Sequence, residues 1–94
     1  MKKEDDQPRV GLIYPETISG IAKLIRKDWS EKGTIYFGAK PYLDAMDTMT
    51  SIEDNYFEDS GESIVRYFLA NANTWRGSVA REVKTKLNQL LKGK

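Results

Sequence analysis

The stretch Asp59 to Lys92, DSGESIVRYFLANANTWRGSVAREVKTKLNQLLK, decides the fold. It reads as two amphipathic helices joined by a short turn. Ile64, Val65, Phe68, Leu69 and Ala72 recur at helical spacing and build one apolar face. Asp59 and Glu62 stand three apart ahead of them, as in a capping box with Asp in place of Ser or Thr. Asn71 and Asn73 are poor interior residues, so this helix ends there. Thr74 is the expected cap of the next helix, whose stripe is Trp75, Val79, Val83, Leu87, Leu90 and Leu91. Gly93 stops it.

The same periodicity extends backwards. Ile18, Ile21, Ala22, Ile25 and Trp29 form a stripe over about Thr17 to Glu31, with Thr17 as N-cap and Gly33 as stop. Gly20 weakens the first turn by about 1 kcal/mol against alanine. Tyr42, Ala45, Met46 and Met49 give another helix from Pro41, suited to a first helical position, to about Thr50. Thr34 to Phe37 reads as a brief extended segment, and Ser51 to Glu58 as a polar connection. Val10 to Tyr14 is apolar and closed by Pro15, a lone strand or an extended arm. The expectation is an all-α fold: a small bundle of about four helices over residues 15–94, with an extended or flexible arm over 1–14.

The chain has 94 residues, of which 39% are hydrophobic and 31% charged, too apolar for disorder and too short for a second domain. It has no cysteine and no histidine. That removes Ser-His-Asp and Cys-His nucleophiles, zinc fingers, iron–sulfur sites and disulfides. A secreted domain of this size ordinarily carries disulfides, so a reducing, cytoplasmic compartment is expected. No apolar run approaches a membrane span, and Met1 to Arg9 does not read as a signal peptide. The seven glycines form no phosphate loop. No catalytic residue, metal ligand or cofactor is implied. Asp44 and Asp47 share a helix face, but acid–base work needs a pocket that separates their pKa values, and nothing signals one.

The net charge of +1 hides segregation. Residues 41–64 carry seven acidic side chains and no basic one, whereas residues 65–94 carry seven basic side chains and one acid, Glu82. Such asymmetry concerns partners rather than fold. Three regions are therefore candidates for partner binding. One is the basic face of the last helix, Arg76, Arg81 and Lys84, with Asn88 and Lys92 along it and Lys86 beside it. Trp75 belongs there as a binding hot spot or to the core as an anchor; both readings stand. The second is the acidic run Glu53, Asp54, Glu58, Asp59 and Glu62, whose spacing does not match a Ca²⁺ loop. The third is Tyr36 to Tyr42, because Tyr36, Phe37, Tyr42, Tyr56, Phe57, Tyr67 and Phe68 exceed the needs of a minimal core.

Ile35 to Met46, Asp59 to Leu69 and Asn71 to Gly77, followed by Ala80-Arg81 and Lys84, resemble a family of small phage and prophage proteins. The strings Phe37-Gly-Ala-Lys-Pro-Tyr-Leu43 and Thr74-Trp-Arg-Gly77 carry the resemblance, which covers about residues 17–92. The arm from Met1 to Tyr14 is an addition to that pattern. The resemblance implies a phage origin and no particular activity. The expected function is a non-enzymatic protein that binds and inhibits or redirects a host protein, such as a defence nuclease. The alternative is a helical DNA-binding regulator using the basic last helix, although that helix offers few base-reading side chains at its start. A third reading is self-assembly through the stripe Val79, Val83, Leu87, Leu90, Leu91.

Overall fold

Thr17 opens the first helix as its hydroxyl chemistry requires. Its Oγ1 accepts a hydrogen bond from the Gly20 amide at 2.9 Å, and α1 runs Ile18–Lys32. The computed structural model describes residues 15–93. The expected arm over 1–14, including Val10 to Tyr14, lies outside the described residues. Ile18, Ile21, Ala22, Ile25 and Trp29 are all buried, as the stripe predicts.

After Gly33 the chain runs irregularly to Tyr36 and makes a single 3-10 turn, Phe37–Ala39, where an extended segment was expected. Then α2 covers Lys40–Met46, with Pro41 in its first turn. It stops short of Thr50 for a reason that lies outside it. The first amides of α1 have no partner within their own helix. The Ile18 amide donates to the Thr50 carbonyl at 3.0 Å and the Ser19 amide to the Met49 carbonyl at 2.8 Å. Turning those carbonyls toward α1 ends α2.

The expected polar connection contains a small hairpin: β1, Asn55–Tyr56, pairs antiparallel with β2, Asp59–Ser60, around the two-residue turn Phe57-Glu58. α3 follows at Gly61–Ala70. Its cap is Ser60, whose Oγ accepts from the Ser63 amide at 3.1 Å. Asp59 is taken by β2, so it and Glu62 do not form the expected capping box. Glu62 still favours the helix from within its first turn.

α4 is Ser78–Lys92 and begins four residues after Thr74, the expected cap. Gly77 precedes it at φ 109°, a conformation that L side chains rarely adopt, and the Lys32 ammonium fills the place a Cβ would take. The chain spends residues 71–77 on turns because Trp75 belongs to the core. Its ring stacks on Trp29 with centroids 5.8 Å apart and 13° between planes. Phe68 meets both indoles edge-on at 6.4 Å. Ala80, Val83, Leu87 and Leu91 then form the buried face of α4, with Val79 and Leu90 at its margin. That stripe is core and is not available for self-assembly. α2 lies on α3, and α1 bridges α2 and α4. The described chain is thus a small, mostly helical bundle around one core, with a two-stranded hairpin at the start of α3.

Candidate interaction site

Two of the expected contact residues are interior fixtures. Trp75 is fully buried, and its Nε1 donates to Asp28 Oδ2 at 2.9 Å. Lys32 holds the same carboxylate oxygen at 2.8 Å and donates to the Arg76 carbonyl at 2.6 Å. The core-anchor reading of Trp75 is the one the structure takes; as a hot spot it is corrected. Lys84 is half-buried rather than part of an open basic face. Its ammonium donates to the carbonyls of Ala72 and Trp75, both at 2.8 Å, and lies 5.8 Å from the Trp75 ring centre. Burial, and then the charge of Arg76, push its pKa below the ordinary lysine value. Lys84 thus ties down the turn after α3, sharing the Ala72 carbonyl with the Trp75 amide.

Asp54, partly exposed, also has work within the fold. Its Oδ2 accepts from the amides of Thr50 and Ser51 at 2.8 and 3.1 Å, so this carboxylate shapes the turn before the hairpin. Asp44 and Asp47 serve Arg26, which donates to them at 2.6 and 2.9 Å. Burial works against the Arg26 charge, but these two carboxylates outweigh it and hold its pKa above the ordinary value. Glu53, Glu58, Arg76 and Arg81 stand exposed. Among the described residues no cluster of three or more His, Cys, Asp or Glu is placed to hold a metal ion. No described helix is long and apolar enough to cross a membrane.

What the structure brings together is aromatic. Tyr36 is 43% exposed, Phe37 76% and Tyr67 49%. Tyr36 and Phe37 pack with ring centres 5.1 Å apart, and Tyr42 and Tyr67 at 5.5 Å. The two pairs are joined through Asn71. Its Nδ2 donates to the Tyr67 carbonyl at 2.9 Å, while its Oδ1 and the Tyr36 ring both crowd Gly38. A Cβ on Gly38 would stand 2.5 Å from the Tyr36 ring, so glycine is what lets that ring lie down on the backbone. A groove follows, lined by Tyr36, Ala70, Asn71, Asn73 and Thr74. A second depression, lined by Lys32, Gly33, Thr34 and Arg76, adjoins it through Thr74.

The turn at Tyr36 to Gly38 and the segment Asn71 to Thr74, far apart in sequence, therefore meet at one surface. Tyr36 and Tyr42, with Phe37 between them, belong to the stretch that the sequence singles out; Tyr67 and Asn71 were not assigned to a site. The available signal was register: Tyr67 falls outside the stripe of Ile64, Val65 and Phe68, so its ring must face outward or sideways. No family model matches the chain, and no curated protein or solved structure matches it.

Proposed function

We propose that this protein is a small non-enzymatic binding domain that docks on a protein partner through the aromatic surface Tyr36, Phe37, Tyr42 and Tyr67 and the groove beside it. The observation that carries the reading is the convergence of exposed aromatic rings with amide and hydroxyl side chains on one face. Rigid aromatics rimmed by adaptable polar groups are the composition of protein-binding surfaces. The resemblance to phage and prophage proteins supports a bacterial host protein as the partner, bound in the cytoplasm and thereby inhibited or redirected.

The test is affinity capture from bacterial lysate, with and without nuclease, using the full chain and its Phe37→Ser/Tyr67→Ser variant. Both positions are exposed, so the variant keeps the fold. The expected result is a host protein retained with and without nuclease and lost with the variant. Equal capture by both forms overturns the reading. Capture that vanishes with nuclease replaces it with nucleic-acid binding through Arg76 and Arg81.

A further inference from the structure

The hairpin tip lies outside the aromatic surface just described. Phe57 is 87% exposed and sits at φ 55°, among non-glycine residues the one positive φ described. A bulky side chain there is an outlier, because that turn position ordinarily belongs to glycine. Tyr56 packs edge-on against it at 4.7 Å, bracing the ring without covering it. Glu58 and Asp59 follow, both exposed, and no described residue pairs with either. The tip is thus an apolar ring beside two carboxylates, within a segment of seven acids and no base.

The matching chemistry stands on α4. Arg81, Thr85 and Gln89 lie at successive i, i+4 positions, with Lys86 alongside and Glu82, whose side chain has a partner of its own, on the same surface. Arg81 is exposed, Lys86 is partly buried, and no described carboxylate pairs with either. Alkyl stems topped by cations accept an aromatic ring along the stem and a carboxylate at the head. At 87% exposure Phe57 is covered by neither α4 nor any other described element.

We propose that the hairpin tip of one copy, Phe57 with Glu58 and Asp59, docks on the Arg81–Lys86 face of α4 in a second copy. The two surfaces differ, so the contact is heterologous: each bound copy still offers one free tip or one free helix face, and the assembly extends or closes into a ring. The patches are small against the about 1,200 Å² of a stable interface, so association is weak and needs concentrated protein. It weakens as salt screens the charges. The proposal does not rest on the aromatic surface.

The experiment is sedimentation of the purified full chain across protein and salt concentration. The expected result is an average mass that climbs above 10.8 kDa at low salt and returns to it at about 0.5 M salt. Phe57→Gly should weaken association at least about tenfold. Glu58→Lys/Asp59→Lys and Arg81→Glu/Lys86→Glu should each stay monomeric alone, and their mixture should associate again, because each tip then meets a face of opposite sign. Circular dichroism confirms that each variant is folded. A wild-type chain that stays monomeric at low salt and millimolar concentration overturns the proposal. So does association that is undiminished in Phe57→Gly or that survives either charge-reversal variant, or a mixture that fails to associate.

Discussion

Lys84 shows how one side chain can carry a structural role that composition hides. As a lysine on a basic helix it reads as surface; in the fold its ammonium ties down the carbonyls of Ala72 and Trp75. Lys84→Met leaves both carbonyls without that donor and should cost about 1–3 kcal/mol in urea unfolding. The pH dependence has a definite sign. The folded pKa lies below the ordinary 10.5, so between the two values the unfolded chain binds more protons than the folded one. Stability therefore rises with pH across that window, and below it the cost of keeping the buried charge is fully present. Unfolding free energies followed up to pH 10.5 should show that rise in the wild type and lack it in Lys84→Met; identical slopes would remove Lys84 as its source. The two readings of Trp75 were indistinguishable in the sequence for a related reason. Partners distant in sequence, Trp29 and Asp28 in α1 and Phe68 in α3, decide which way the ring faces.

Among the elements, α1 was the most legible, because its cap, its stripe and its stop all lie within one local window. The hairpin was the least legible. Strands of two residues are too short for an alternation to register, and Phe57 contradicts the turn chemistry that would have marked the bend. The start of α4 failed differently: Thr74 is a sound local cap signal, overridden when Trp75 is drawn into the core and Gly77 is left to make the turn. The strain at Phe57 makes a prediction at this scale. Phe57→Gly relieves a left-handed conformation without opening a cavity, so the midpoint of chemical unfolding should rise, by about 1 kcal/mol of stability. Such a gain would mean that the Phe57 ring is not required for folding. A fall in stability would show the ring to be structural.

For the whole molecule, charge segregation along the chain was plain from composition, but the meeting of Tyr36 to Gly38 with Asn71 to Thr74 was not. Sequence periodicity says which face of a helix is buried and is silent on which loops become neighbours. That neighbourhood follows from α2 lying on α3, so that the turn before one helix meets the end of the other. The clasp between α1 and the segment after α2 acts at the same scale. The Ile18 and Ser19 amides, which open a helix, are held by carbonyls from beyond the next one. Helix ends ordinarily fray and trade their hydrogens quickly with solvent. Here the opening amides of α1 can exchange only when the segment at Met49 and Thr50 lifts away. In deuterated water Ile18 and Ser19 should therefore exchange at a common slow rate set by that detachment, the signature of a loop over residues 18–50 latched at its two ends.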